Sequence, residues 1–399
     1  MIQQRTNWLQ IAILWIAGIA AAMQFAKVSV AFDALTAIYG ANPALVGLTL
    51  SIVGMVGLIF GVSAGVLSGH IGYRRVLVAG LVIGAVSSAI QALLPPMSVM
   101  IASRIVEGIS HLGIVVTAPT MMASVSSESH RSIIMGLWGT FFGVAFALVA
   151  WLGIPIVVQH GVGGLFLAHG MLMAGLAAVV LVVFKWPDTS NDGDLAALPK
   201  LQLALFIREN LKVYAKARTS MPGLIFLFHT SMFIALLTFL PRLTGDPSDT
   251  AFLLIVLPLV GITGAFCAGA IAQYLLSPVY LAILAYGAVG AAIVIVHWTI
   301  GAGVGFVSAS MILIFVAGIV PGAVFAMIPF LSRHPSEQAL ANGAVVQLGN
   351  IGSTTGPPVF AAIIGASGSL GLMVAIIILS ICGIGVALLA AAYTGSPKL

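Results

Sequence analysis

The sequence predicts an all-α membrane protein whose twelve transmembrane helices form two pseudo-symmetric six-helix bundles. Of its 399 residues, 61% are hydrophobic and only 6% are charged, whereas soluble domains carry roughly 25% charged residues. A loop near the middle, residues 185–220, holds six of the fifteen Lys and Arg residues and divides the apolar segments into two sets of six. We therefore expect an N-terminal bundle over 1–184, a cytoplasmic linker over 185–220 and a C-terminal bundle over 221–399.

The apolar segments are long enough to cross a bilayer as helices, which need roughly 20 residues each. Transmembrane β-strands need only about 9 to 11 residues and alternate apolar with polar side chains, a pattern that these segments lack. The predicted spans are 8–28, 44–68, 75–94, 97–120, 132–157, 164–184, 221–241, 250–275, 278–298, 301–328, 337–363 and 368–392.

The first span could be mistaken for a secretory signal, because Arg5 precedes it and three alanines stand at 20–22. The apolar region of a signal has only about 7 to 15 residues, and this one is longer. It is also needed to make the number of spans even. We expect it to be retained as a membrane anchor.

The positions of the cations predict the orientation of the chain. With the N-terminus inside, twelve of the fifteen Lys and Arg residues fall in cytoplasmic segments, as the positive-inside rule requires. Both termini are then cytoplasmic, and the formal charge of +5 sets the topology and indicates no nucleic-acid binding. Residues 201–216 of the linker mix apolar and basic side chains, so a short interfacial helix and a flexible linker both fit.

Two motifs point to a family. The segment after the second span reads Gly65-Val66-Leu67-Ser68-Gly69-His70-Ile71-Gly72-Tyr73-Arg74-Arg75, and the fourth span contains Arg104-Ile105-Val106-Glu107-Gly108. They resemble the signature loop between helices two and three of the major facilitator superfamily and the Arg-x-x-x-Gly motif in its fourth helix. The first match departs from the family at Gly69, where Asp is usual, and at His70, where Arg is usual.

The two halves of the chain also repeat. Residues 269–273 stand about 204 positions after 65–69, and a His-x-Ser triplet before the fifth span recurs before the eleventh. The resemblance implies parallel halves in a bacterial inner membrane, with a substrate site between them near the bilayer midplane. Residues 136–140 are loosely similar to the cyanate and nitroimidazole transporter group. The family's antiport signature is incomplete because Val144, not proline, follows Gly143.

The candidate site consists of polar side chains inside the spans, since a charged group at a helix centre costs roughly 2.5 to 3.5 kcal/mol. Arg104, Glu107 and His111 are spaced i, i+3 and i+7 on one face of the fourth helix. Arg104 and Glu107 could form a structural ion pair, or they could bind the substrate or carry protons. His111 could be a satisfied buried histidine or a ligand.

Further candidates lie on three other spans. Lys27, beside Gln24 on the first, could extend its amine to the membrane surface or bind an anion. His229 stands among phenylalanines on the seventh, and Gln347 and Asn350 on the eleventh also fit ordinary interhelical hydrogen bonding. The resemblance places helices one, four, seven and ten around the cavity, so we interpret His169 on the sixth as structural.

The surplus of cationic and protonatable groups predicts a small organic anion or zwitterion as substrate. We expect proton-coupled symport with Glu107 and His111 as the coupling residues, because histidine titrates near neutral pH. The alternative is a multidrug/proton efflux antiporter; an intramembrane enzyme or a sensor would belong to another class. The sequence has no paired carboxylates, metal-ligand spacing or nucleophile motif, so we expect no catalytic residue, metal or cofactor.

We expect a monomer whose partners are a small-molecule substrate, protons and membrane lipid, and no nucleic acid. Because Gly69 replaces the family's Asp, a different acid should close the cytoplasmic gate. Glu337 begins the eleventh span, where a helix N-terminus favours an acid. We expect it to meet Arg74 or Arg75 when the cytoplasmic side is closed.

Overall fold

A computed structural model describes residues 6–40, 43–127, 130, 134, 137–184, 214, 216–331 and 335–394. These residues are almost entirely helical and contain no β-strand, which confirms the all-α prediction. The predicted interfacial helix at 201–216 lies almost wholly outside the described residues. The elements are α1 (Trp8–Val30), α2 (Phe32–Tyr39), α3 (Pro43–Ser51), α4 (Gly54–Ile71), α5 (Tyr73–Ala92), α6 (Met97–Ser124), α7 (Phe141–Leu148), a π-helical turn (Val149–Gly153), α8 (Ile154–Val183), α9 (Ala217–Phe239), a 3-10 turn (Leu240–Thr244), α10 (Pro247–Tyr274), α11 (Pro278–Thr299), α12 (Val304–Leu331) and α13 (Pro335–Thr394).

The described residues hold nine helices long and apolar enough to cross a membrane, or ten if the bent pair α3 and α4 forms one span. Two of them, Phe141–Val183 and Leu340–Tyr393, have 43 and 54 residues. At 1.5 Å per residue these are about 64 and 81 Å long, far more than the roughly 30 Å of hydrocarbon. Gly161 and Gly368 divide them with φ angles of 71° and 58°, which glycine adopts without strain. One span on either side of each glycine, together with α3 and α4 as a single bent span, gives the twelve that the sequence predicts. The chain is a multi-pass membrane protein.

Several helices begin with a polar cap, which accepts hydrogen bonds from backbone amides that have no partner within the helix. Asn7 Oδ1 accepts from Gln10 N at 3.2 Å, and Asp246 Oδ1 accepts from Ser248 N at 2.8 Å. Proline follows Asp246 and fits the first helical position, where no amide donor is needed. Hydrogen bonds from the Ser248 hydroxyl and from two backbone amides lower the pKa of Asp246.

The segment 65–75, expected to be a loop, is helical apart from one residue. Helix α4 continues to Ile71 and α5 begins at Tyr73, so Gly72 alone makes the turn, with φ 99°. The apolar pattern ends near residue 68, but the backbone stays helical for about one more turn. Hydropathy therefore does not mark the end of this helix.

The chain divides into two compact units. The first comprises Met1–Leu35 and Met55–Phe206, and the second comprises Thr36–Gly54 and Ile207–Leu399. The predicted boundaries at 184 and 221 stay a prediction, but α3 lies in the second unit although it precedes the central loop.

The first unit has an apolar core drawn from α1, α5, α6 and α8. Its buried members include Leu14, Ala17, Leu77, Leu81, Ile114, Met121, Met173 and Val180. In the second unit, Tyr286 of α11 is fully buried, and its hydroxyl donates to Ile225 O of α9 at 2.6 Å. Helix α3 packs against α13 so closely that a Cβ at Gly47 would lie 2.9 Å from Pro358 Cα.

Helices α10 and α12 approach each other backbone to backbone. A Cβ at Gly318 would overlap Gly261 O, and a Cβ at Gly264 would overlap Phe315 O. Small residues allow this approach, which supplies the van der Waals packing that holds helices together in lipid.

We expect Gly318→Val to destabilise the second unit by about 1 to 3 kcal/mol, because the added methyl groups force the two backbones apart. Thermal unfolding in detergent measures this loss. Gly287→Val in α11 is the matched control, since a Cβ there meets no atom of the described residues within 4 Å. Equal unfolding temperatures for the two variants would contradict the close approach.

Candidate functional site

Three ionisable side chains of the first unit form a cluster that is closed to solvent. Lys27 lies on α1, and Arg104 and Glu107 lie one turn apart on α6; all three are 0% exposed. Lys27 Nζ is 2.6 Å from Glu107 Oε1, and Arg104 Nη1 pairs with Glu107 Oε2. The i, i+3 ion pair that the sequence allows is therefore formed, and Lys27 joins it from another helix.

The Glu107 carboxylate accepts hydrogen bonds on both oxygens. Oε1 accepts from Lys27 and lies 3.4 Å from the Ser88 hydroxyl. Oε2 accepts from Arg104 and from Gln91 Nε2, the latter at 2.9 Å. Two cations and two neutral groups thus surround one carboxylate, which offsets part of the several kcal/mol that burial of each ion costs.

Lys27 is held by three acceptors. Besides Glu107, its Nζ donates to Ser88 Oγ at 2.8 Å and lies 3.4 Å from His169 Nδ1. The ring of Phe166 lies 5.1 Å below the ammonium group, within the range of a cation–π interaction. Because its nitrogen is committed to these groups, Lys27 does not extend to the membrane surface.

His169 belongs to the same cluster, although sequence reasoning interpreted it as structural. Its Nε2 lies 2.9 Å from Ala20 O, and a carbonyl oxygen only accepts, so Nε2 carries the proton of the neutral ring. Nδ1 is then the acceptor. It accepts a hydrogen bond from the Ser88 hydroxyl at 2.8 Å. The distance from that hydroxyl to Glu107 Oε1 is longer, 3.4 Å.

Arg104 connects the cluster to Gln24. The second guanidinium nitrogen, Nη2, donates to Gln24 O at 2.7 Å, and Gln24 Nε2 donates to Ser110 Oγ at 2.8 Å. The side-chain oxygen of Gln24 is buried and has no hydrogen-bond partner among the described residues. It is an acceptor that a substrate's hydroxyl or ammonium group could satisfy.

His111 lies at the edge of this region. Its Nδ1 is 3.1 Å from Ala21 O and therefore carries the proton in the neutral ring, which leaves Nε2 as the acceptor. Phe25 packs edge-on against the ring at 5.1 Å. His111 is 9% exposed, compared with 0% for Arg104 and Glu107, so it is the most accessible group of the predicted stripe on α6.

The cluster carries one net positive charge when all three groups are ionised, because two cations share one carboxylate. In a low-dielectric interior a unit charge acts over a long range, about 2 kcal/mol at 8 Å for an effective dielectric constant of 20. The first unit therefore presents a positive potential to any solute that comes near Gln24 and His111.

The candidates of the second unit are not in one cluster. His229 is 3% exposed and lies between the rings of Phe226 and Phe233, with centroids 5.7 and 4.8 Å away. Its buried Nδ1 finds no partner in the part of the chain that the structure describes. Gln347 Oε1 accepts from the Tyr214 hydroxyl at 2.7 Å, and Asn350 Nδ2 donates to Val346 O at 2.9 Å.

Arg74 and Glu337, two of the three proposed gate residues, each have a partner within their own unit. Arg74 Nη2 donates to Leu181 O at 3.0 Å, Arg75 is exposed, and Lys216 Nζ donates to Glu337 Oε1 at 2.8 Å. A contact of Glu337 with Arg74 or Arg75 would join the two units and stays a prediction.

Sequence reasoning missed Ser88, Gln91 and His169. A signal existed for two of them, since Ser88 and Gln91 are polar residues three positions apart inside an apolar span. Across the described ranges, no group of three or more His, Cys, Asp or Glu residues could hold a metal ion.

Comparison with known proteins adds two findings. A sequence model described as Major Facilitator Superfamily matches residues 14–357. The chain is also 31% identical over 156 residues to the "Inner membrane transport protein YajR" of Escherichia coli (strain K12). That match covers 39% of this chain and 33% of the relative, so it spans about a third of the relative's length.

We expect Glu107→Gln to destabilise the first unit by about 3 to 5 kcal/mol, because it leaves two buried cations without their counterion. Lys27→Met is the matched comparison, since Arg104 and Glu107 then remain as a neutral pair and the loss should be smaller. Chemical or thermal unfolding in detergent measures the loss of stability in both variants. If Lys27→Met proves at least as destabilising as Glu107→Gln, the charge balance described above is wrong.

Proposed function

We propose that this chain, which belongs to the Major Facilitator Superfamily, is a secondary transporter that moves a small organic anion or zwitterion by alternating access. The motifs around the turn between α4 and α5 and in α6 predict this family, and the family match confirms the prediction. Members of the family transport small molecules across membranes and are not enzymes. The observation that carries the anion proposal is the net positive charge of the buried Lys27, Arg104 and Glu107 cluster.

A substrate carboxylate would balance the unpaired positive charge of the cluster. Lys27 and Arg104 would supply the attraction from within the first unit. His111 would contact the solute at the less buried edge, and Gln24 Oε1, which is buried and has no partner among the described atoms, would contact it further inside. A zwitterion fits the same arrangement, because its ammonium group could donate to that oxygen. His229, Gln347 and Asn350 would contribute from the second unit.

Proton coupling follows from the same charges. Protonation of Glu107 would remove the only carboxylate of the cluster and leave two cations facing the anion. Proton and anion would then each favour binding of the other, a reciprocity that any coupled equilibrium obeys. Movement of proton and anion in the same direction is symport. His111, the most accessible group on this face of α6, would pass the proton to Glu107.

A multidrug/proton efflux antiporter is the second candidate. The aromatic side chains around His229, which include Phe226, Phe233 and Phe325, favour apolar solutes. The sign of the solute's charge separates the two candidates. We further propose a bacterial inner membrane location, in keeping with the printed name of the YajR relative, and cytoplasmic termini from the distribution of the cations.

We expect organic acids or amino-acid derivatives, and not cationic drugs, to raise the unfolding temperature of the purified protein. Lys27→Met and Arg104→Met should each weaken anion binding about tenfold or more, because the attraction of one buried unit charge at 8 Å is worth about 2 kcal/mol at an effective dielectric constant of 20. Arg242→Gln is the control, since that guanidinium donates to Thr238 O of its own helix. Equal dissociation constants for wild type and both cluster variants would remove the anion proposal, and stabilisation by cationic drugs alone would favour the antiporter.

We expect His111→Gln to abolish substrate-driven acidification in proteoliposomes while substrate still binds. Glutamine keeps a hydrogen bond to Ala21 O but cannot carry a proton at neutral pH. His297→Gln on α11 is the matched histidine control and should retain coupled proton movement. Unaltered proton flux in the His111 variant would exclude this histidine from coupling.

A further inference from the structure

We propose that a groove at the start of α5 binds one anionic phospholipid, with its phosphate on Arg74 and Arg75 and an acyl chain along α5. The groove has a volume of about 340 Å³. It is lined by Arg74, Arg75, Val78, Ala79, Val82 and Leu181. The groove thus combines two guanidinium groups with an apolar wall. A phospholipid has the complementary parts, an anionic phosphate and apolar acyl chains.

The charged end of the groove is unusually positive. Arg74 and Arg75 stand in the first turn of α5, where the helix dipole already favours an anion and where residues 73–76 include no acid. Gly72 precedes the helix and provides no side-chain cap. A phosphate at this end would meet two guanidinium groups and the positive end of the helix dipole.

The Arg74 guanidinium is held in place by a hydrogen bond to the backbone of another helix. Its Nη2 donates to Leu181 O at 3.0 Å, which fixes the guanidinium against α8 at the mouth of the groove. Its Nε is buried and has no acceptor among the residues that the structure describes. A phosphate oxygen that enters the groove would supply this acceptor, and arginine binds phosphate in a two-pronged geometry.

The apolar wall continues down α5. Val82, Val86 and Ile90 are 46%, 55% and 39% exposed, and a spacing of four residues places them on one face of the helix. From Val82 to Ile90 this face is about 12 Å long. At the end of α8, Leu181 and Val182 are 53% and 76% exposed. An acyl chain attached to a phosphate on the two arginines would lie along this surface.

The test uses the full chain, delipidated in detergent, with bound lipid counted by native mass spectrometry. Dioleoyl phosphatidylglycerol and dioleoyl phosphatidylcholine share their acyl chains and differ in net charge. We expect the wild type to prefer the anionic lipid about fivefold or more, since fivefold is about 1 kcal/mol, the contribution of a single Lys or Arg near an anionic headgroup. Arg74→Gln should remove most of this preference, and Arg75→Gln should reduce it.

Controls separate the two parts of the site. Arg242→Gln should keep the preference, since it removes an arginine that does not line the groove. Val82→Ser should weaken binding of both lipids, whereas Ile295→Ser, at an exposed position on α11, should not. Equal retention of the two lipids by the wild type, or an unchanged preference in both arginine variants, would overturn the proposal. Complete displacement by millimolar inorganic phosphate would identify a phosphate site and also overturn it.

Discussion

The Glu107 carboxylate is the constraint on which the first unit depends. It binds Lys27 on α1, Arg104 on its own helix and Gln91 on α5, and through Ser88 it reaches His169 on α8. Lipid tails are as apolar as leucine, so apolar packing alone gives transmembrane helices little preference for one rotation over another. A buried ion gives a strong preference for one rotation, because no water in the hydrocarbon can replace a lost hydrogen-bond partner. The polar faces of four helices are therefore fixed by one side chain.

The two units differ in what holds them together. The buried charged side chains of the described residues, Lys27, Arg104 and Glu107, all belong to the first unit. The second unit relies on close backbone contacts such as that between Gly318 and Gly261, and on buried aromatic residues such as Tyr286. The halves that repeat in sequence have thus diverged in chemistry. Among the described residues, buried ion pairs distinguish the first unit, whereas close helix packing occurs in both.

Sequence reasoning found the features that depend on local pattern. The length of each apolar run gave the spans, and the spacing of Arg104 and Glu107 gave their ion pair. It could not find the partnership of Lys27 with Glu107, whose positions are 80 residues apart, because contact between helices depends on tilt and rotation that hydropathy does not encode. His169 was interpreted as structural because the family resemblance places helices one, four, seven and ten around the cavity. The turn at Gly72 was misjudged because α4 continues past the apolar boundary, where side-chain polarity changes and backbone hydrogen bonding does not.

Helix α3 has a consequence for any attempt to separate the halves of this protein. It lies in the second unit, with Val46 and Leu50 fully buried and Gly47 against Pro358, yet it is encoded before the central loop. A gene divided within that loop would give a C-terminal fragment with an uncovered surface on α13. The N-terminal fragment would carry the missing helix as an unpaired apolar arm. Two such fragments would have to be synthesised together, and the arm would be the element by which the N-terminal fragment completes the other.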